Sequence, residues 1–390
     1  MEQKERSKKD RVINVIFFIL LFMLIVEVVF FVARKINNKK IRERILSLND
    51  TELTAKIIKN MYVFDTPYTE EELCKYPPEE QLKLIGDDYA QYLTQDGYEK
   101  RMNSINLKFI GLGFHSLLIE EDDFEVQEIL PNSPVEEAGL KVGDKIIAID
   151  GKSIKDMTIL ETISLLEKDE PKKSIFTIQR DNEIFDVSII KRLIRGKSVK
   201  SKMLDKDIGY MKLYQFSSAL GEEFIKELDS LLSQNMTKLI LDLRGNSGGE
   251  VHQIIPIASA LLDNSIDHLF TIKYRNIESE YYNRQGEEKF SGPIVVLCNE
   301  NTASASELLI NILKDYDRCK TVGKKTYGKE VSQDIYTLNS KNTLILSTGL
   351  PLAPNEEEWH KKGIIPDFDI PMDKNSNDAQ LDKALLILKE

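Results

Sequence analysis

The residues with the most chemistry in them lie between Asn301 and Gln333. Thr302-Ala303-Ser304-Ala305-Ser306-Glu307 follows an apolar run, Ile294–Cys298, and precedes Leu308, Leu309, Ile312 and Leu313 at helical spacing. A buried strand that stops at a hydroxyl-rich turn and opens a helix sets a serine at the helix N-terminus. There, backbone N–H groups without intrahelical partners favour a developing negative charge. Downstream, Gly323 and Gly328 bracket a second turn that ends on Lys329. A lysine in such a turn can act as a base if burial keeps it neutral. Taken one residue at a time, the same residues read as a helix cap and a surface lysine.

The elements that must position these groups read as an α/β core. Ile208–Leu213 is strand-like, and Leu220–Leu232 is an amphipathic helix with Phe224, Leu228, Leu231 and Leu232 on its apolar face. Leu239–Arg244 is a second buried strand. It runs into Gly245-Asn246-Ser247-Gly248-Gly249 and a helix expected over Val251–Leu262. Glycines at a helix N-terminus let backbone N–H groups approach a ligand closely. A phosphate-binding loop would need a Lys-Ser/Thr pair after its last glycine, and none follows Gly249. Thr343–Gly349 is strand-like, and Asp378–Lys389 has the pattern of a short amphipathic helix.

Upstream, Val12–Ala33 is almost wholly apolar apart from Asn14 and Glu27. About 20 such residues span a bilayer as a helix. With no small-x-small cleavage site before Arg34, an uncleaved signal anchor is expected over a cleaved signal peptide. Lys4, Arg6, Lys8, Lys9 and Arg11 before the span are balanced by Arg34, Lys35, Lys39, Lys40, Arg42 and Arg44 after it, so the charges do not set an orientation. The chain has 390 residues and a net charge of −11, which argues against nucleic acid as the main partner. Its three cysteines are widely spaced and its four histidines show no H-E-x-x-H pattern, so neither a disulfide framework nor a catalytic metal is expected.

Several of these runs, and others along the chain, carry a recognisable pattern. T-A-S-A-S-E, then Asp315, then T-Y-G-K-E-V-S-Q ending on Gln333, resembles the signature of the carboxyl-terminal processing proteases, serine peptidases with a Ser-Lys dyad and an embedded PDZ domain. Asp242-Leu243-Arg244-Gly245-Asn246-Ser247-Gly248-Gly249 resembles that family's D-L-R-x-N-x-G-G motif. Pro131–Gly151, with Gly111-Leu112-Gly113-Phe114 before it, resembles the PDZ domains of extracytoplasmic proteases, and Gly363-Ile364-Ile365-Pro366-Asp367 the family's terminal G-I-x-P-D element. Thr302 stands where the family has a first Ser, and Glu330 where it has a Gly after the lysine.

The resemblance implies Ser304 as nucleophile, Lys329 as general base and Gln333 as the group that orients the lysine. It implies an oxyanion hole from the N–H of Gly248 or Gly249 and that of Ala305, and no cofactor or metal. The implied fold is a ClpP/crotonase-like α/β protease core with an inserted PDZ-like domain, an N-terminal helical region and one transmembrane helix. The boundaries expected are 1–11 cytoplasmic, 12–33 anchor, 34–103 helical, 104–193 PDZ-like, 194–376 protease core and 377–390 C-terminal helix. Thr158–Leu166 would line the PDZ groove, and the Gly111, Leu112, Gly113 and Phe114 loop would hold a peptide's terminal carboxylate. The implied partners are protein or peptide substrates with exposed C-termini, the cell membrane and, for assembly, copies of the chain itself. The protease part is expected outside the cytoplasmic membrane.

Two competitors bear on the same residues. A Ser-His arrangement using His252, just after the glycine loop, would leave Lys329 and Gln333 without a role. A membrane-tethered PDZ adaptor with a latent protease domain would fit Glu330, a carboxylate next to the lysine.

Overall fold

The computed structural model describes residues 43, 45–119, 123–130, 133–154, 173–277, 279–371 and 378–390. The apolar stretch 12–33 and the groove helix expected at 158–166 lie outside them. Among the described residues, no helix is long and apolar enough to cross a membrane. The chain divides into two units, residues 1–94 with 334–346, and residues 95–333 with 347–390.

In the first unit, helices Asp50–Met61, Glu70–Leu73 and Pro78–Ile85 surround a small core of Ala55, Ile58, Leu73, Leu82, Leu338, Leu344 and Leu346. The first helix starts where it does because of a reciprocal cap. Glu52 N–H donates to Asn49 Oδ1 at 3.0 Å, and Asn49 N–H donates to Glu52 Oε2 at 2.9 Å. This segment, expected to be helical throughout, also contributes a strand. Gln91–Leu93 pairs antiparallel with Thr343–Ile345.

Two six-stranded sheets of different character lie in the second unit. Phe114–Ile119, Asp123–Ile129, Lys145–Ile149, Lys173–Arg180 and Glu183–Ile190 form an antiparallel sheet in that order, over a core of Val126, Val135, Ile146, Phe176 and Ile178. The strand before this module and the strand after it, Lys108–Gly111 and Arg192–Arg195, pair antiparallel.

The other sheet runs in the order Val199–Met203, Ile208–Leu213, Lys238–Asp242, Ile294–Cys298, Cys319–Gly323 and Phe368–Asp369, parallel after the first pair. Its central strands are buried on both faces, as parallel sheets are when helices cover them. Successive side chains alternate between two cores. Leu239, Leu241, Val296 and Cys298 pack with Phe224, Leu228, Leu308 and Ile312 on one face. Ile240, Val295 and Leu297 pack with Ala384 and Leu388 on the other. The helix expected over Val251–Leu262 begins as a single tight turn, Val251–Gln253, and is α-helical only over Ile254–Leu261. The strand expected to stop at Gly349 continues to Leu352, where it pairs with Thr271–Tyr274.

In open α/β sheets, ligands collect beyond the carboxyl ends of the strands. Three neighbouring parallel strands, Lys238–Asp242, Ile294–Cys298 and Cys319–Gly323, end there in the glycine loop, the serine turn and the lysine loop.

Candidate active site

Ser304 sits between its strand and the helix Ala305–Asp315 in a strained conformation, φ +56° and ψ −120°. Positive φ is costly for a residue with a Cβ and persists only where the surroundings enforce it. Here the enforcement is visible. Ala303 N–H donates to the Asn246 carbonyl at 3.0 Å, Ser306 Oγ donates to the same carbonyl at 3.0 Å, and Thr302 Oγ1 donates to the Leu243 carbonyl at 2.9 Å. The serine turn is therefore sewn to the glycine loop. A strand-to-helix elbow of this kind lifts a nucleophile's oxygen clear of the sheet.

The glycine loop is shaped by contact. A Cβ on Gly248 would stand 2.8 Å from Ser304 Cβ and 2.9 Å from Ala305 N, and one on Gly249 would stand 2.2 Å from the Phe216 carbonyl oxygen. Both glycines have positive φ, +94° and +140°. Phe216 N–H and Gln215 Nε2 both donate to the Gly248 carbonyl, at 2.9 Å and 2.6 Å. Gly248 N–H already donates to Asn246 Oδ1 at 3.0 Å. Of the two glycines expected as oxyanion donors, that one is engaged within its own loop. Ala305 N–H is the first amide of its helix, one of those with no intrahelical acceptor.

Behind the loop, Asp242 is buried among cations and a phenol. Tyr210 OH donates to it at 2.6 Å, Lys212 Nζ at 3.0 Å and Arg244 Nη2 at 2.7 Å. Burial works against its charge, but Arg244 and Lys212 hold its carboxyl below the usual range. Arg244 also reaches Asp378 and Gln380 at the start of the C-terminal helix. Asp242 and Arg244 thus brace the loop from below.

The lysine loop is tied to the serine turn by one residue that motif reading left without a role. Glu307 is fully buried. Its Oε2 accepts the N–H of Ser304 at 2.9 Å and the N–H of Lys329 at 2.9 Å. Its Oε1 accepts Thr326 Oγ1 at 2.5 Å and Gly328 N–H at 2.7 Å. The signal was present as a capping box, Ser304-x-x-Glu307, in which the glutamate reaches back to the N-cap amide. What the spacing did not show is that the same carboxylate also holds the lysine loop. Lys329 Nζ, half-buried, donates to Gln333 Oε1 at 3.1 Å.

The remaining expected residues fall outside this cluster. Asp315, at the far end of the serine helix, accepts Asn355 N–H at 2.9 Å, and burial raises its carboxyl. His252 stands edge-on to Tyr282, with ring centroids 5.4 Å apart. Burial pushes the Cys298 thiol up to about 12, so this neighbour of the elbow stays protonated at neutral pH. Glu330 turns its carboxylate onto Trp359 and His360 N–H, at 2.9 Å and 2.7 Å. In the antiparallel module, Leu112 is buried, and the carbonyls of Leu112 and Gly113 accept Val135 and Leu130 N–H at 3.2 Å and 2.8 Å. Gly111 closes one strand and Phe114 opens the next.

Comparison with known proteins agrees with these features. The model of peptidase family S41 matches residues 207–370, and that of the PDZ domain matches residues 125–180. The carboxyl-terminal-processing protease of Picosynechococcus sp. is 30% identical over 324 residues, 80% of this chain and 78% of that protein. The chain belongs to peptidase family S41. The carboxy-terminal processing protease CtpA of Bacillus subtilis is 31% identical over 288 residues, 73% of this chain, and the match spans 61% of that protein's length. Two solved structures share the S41 fold. The photosystem II D1 C-terminal processing protease superposes with a TM-score of 0.55 at 20% identity, covering 88% of this chain and 98% of that one. A putative S41 protease from Bacteroides fragilis superposes with a TM-score of 0.58 at 18% identity, covering 86% and 96%. This S41 chain therefore joins the family's protease fold to a PDZ domain.

Proposed function

We propose that this S41 chain is a membrane-anchored serine endopeptidase that cuts protein substrates near their C-termini by a Ser-Lys mechanism. The observation that carries this reading is the convergence on Glu307. One buried carboxylate fixes the backbone of Ser304 and of Lys329 together, while Gln333 holds the lysine amine. Ser304 Oγ attacks the scissile carbonyl and Lys329, unprotonated, takes its proton. The carbonyl oxygen becomes an oxyanion next to Ala305 N–H and the glycine loop. Lys329 then returns the proton to the leaving amine, and water releases the acyl-enzyme. Of the two adjacent glycines Gly248 and Gly249, Gly249 supplies the second donor, because Gly248 N–H is engaged by Asn246.

The PDZ domain takes the substrate's C-terminal end as an added strand, its carboxylate held by the 111–114 loop. Residues 12–33 serve as a single-pass signal anchor with the protease part outside the cytoplasm. The partners are proteins with exposed, unstructured C-termini.

The test is cleavage of a disordered protein such as casein by the full chain, beside Ser304→Ala and Lys329→Ala, from pH 6 to 10. Activity that rises with pH and disappears in both variants supports the Ser-Lys assignment. Activity that survives Lys329→Ala but not His252→Ala overturns the base, and no cleavage by the folded parent overturns the enzyme reading.

A further inference from the structure

Glu330 follows the lysine directly, and its side chain is 1% exposed. A buried carboxylate is costly unless hydrogen bonds replace its water. Only one of its oxygens is so served. Oε2 accepts the N–H groups of Trp359 and His360, whereas Oε1 is buried without a hydrogen-bond partner. The two bonds belong to a longer seam. Lys361 N–H donates to the Gly328 carbonyl at 2.8 Å, Thr326 N–H to the Ile364 carbonyl at 3.0 Å, and Ile364 N–H to Thr326 Oγ1 at 2.7 Å. Thr326 in turn donates to Glu307. The lysine loop therefore lies between two buried glutamates. Glu307 ties it to the serine turn, and Glu330 ties it to the segment Trp359–Ile364.

We infer that Glu330 is a positioning residue for Lys329: its carboxyl docks the Trp359–Ile364 segment onto the lysine loop, and the place of the lysine depends on that docking. The inference rests on the Ser-Lys reading for its effect on rate, but not for the docking itself. Burial pushes the Glu330 carboxyl up to about 7, against the opposing pull of the His360 and Trp359 amides. The charges facing it are Glu358, which raises it further, and Lys362, which lowers it, with His360 and Lys329 beside it in the seam and the chain. The docking is thus coupled to a proton that exchanges near neutral pH.

Trp359 is the only tryptophan in the chain, so its fluorescence reports this seam alone. In the full chain, a fluorescence transition centred near pH 7 is expected. It should vanish in Glu330→Gln and persist in His360→Gln. No transition, or one that follows His360 and survives Glu330→Gln, overturns the inference whether or not the chain cleaves anything.

If the parent cleaves casein, Glu330→Ala leaves the Trp359 and His360 amides without their acceptor and lowers kcat on the order of 10- to 100-fold with KM within about twofold. Glu330→Gln, which keeps an acceptor of the same reach, should recover most of that loss. Equal kcat in the parent and Glu330→Ala overturns the link to Lys329. A parent that does not cleave sinks the enzyme reading alone, because the fluorescence still decides the docking.

Discussion

The two loops that flank Ser304 are held in different ways. The glycine loop, Gly245–Gly249, is held by close backbone approach and by neutral side chains: Asn246 Oδ1 accepts Gly248 N–H, Asn299 Oδ1 accepts Gly245 N–H, and Gln215 Nε2 donates to the Gly248 carbonyl. It approaches the serine turn so closely that a single Cβ on Gly248 would meet Ser304 and Ala305. The lysine loop, Thr326–Glu330, is held by carboxylates. Two buried glutamates accept its own amides or those of its neighbours. The difference matches the tasks proposed for them. A backbone oxyanion donor must be close and rigid, which close packing supplies without charge. A lysine base must keep a fixed place while its own charge changes, and hydrogen bonds to the loop's backbone fix that place while Gln333 takes the amine. The first kind of loop should fail by collision and the second by loss of acceptors.

The largest effect should come from the acceptor that serves both loops' common neighbour. Glu307→Ala strands the amides of Ser304, Gly328 and Lys329 and the Thr326 hydroxyl in a buried site. We expect a loss of about 3–5 kcal/mol in stability, read by denaturant titration, together with loss of cleavage. If Glu307→Ala kept normal stability, the carboxylate half of the comparison would break. Next comes Gly248→Ala. Its Cβ displaces the elbow and the neighbouring donors, so kcat should fall about 10²–10³-fold with little change in KM. A near-normal kcat would show that the glycine loop yields to a side chain, contrary to the steric account.

How much of this was legible beforehand follows the same division. The strand–loop–helix units around Asp242–Gly249 and Ile294–Asp315 could be read because apolar runs and glycine clusters are local signals. The Lys329–Gln333 contact spans four residues and was named from the resemblance. The role of Glu307 toward Lys329 was not legible, because its partners lie 19 to 22 residues downstream and meet it only through the parallel pairing of Ile294–Cys298 with Cys319–Gly323. The orientation of Glu330 was hidden for the same reason, as its acceptor oxygen serves amides 29 and 30 residues away. Sequence adjacency to Lys329 suggested a charge partner for the amine, whereas the carboxylate serves the backbone of another segment. The occupied amide of Gly248 turns on an Asn246 side chain that the D-L-R-x-N-x-G-G pattern contains but does not explain.

A smaller effect should come from the brace beneath the glycine loop. Asp378→Asn removes one of the two carboxylates on Arg244 but leaves Asp242 in place. The Arg244–Asp378 pair is partly exposed, so we expect about 1 kcal/mol of stability and less than a threefold change in kcat. A loss as large as that of Glu307→Ala would mean that the glycine loop, too, depends on carboxylates.

The smallest effect sharpens the lysine-loop side by its sign. An ordinary glutamate titrates near 4.5, and Glu330 in the fold near 7. Between those values the folded chain holds a proton that the unfolded chain has released. Stability from this group is therefore present at acid pH and is lost as pH rises toward about 7. Glu330→Gln carries no such proton, so the difference in denaturant midpoint between variant and parent should shift in the variant's favour from pH 5 to pH 8. A difference that stays constant across that range would mean that Glu330 ionises as freely in the fold as in the open chain. Its carboxylate would then have found a partner for Oε1, and the lysine loop would be held by a settled charge instead of a labile one.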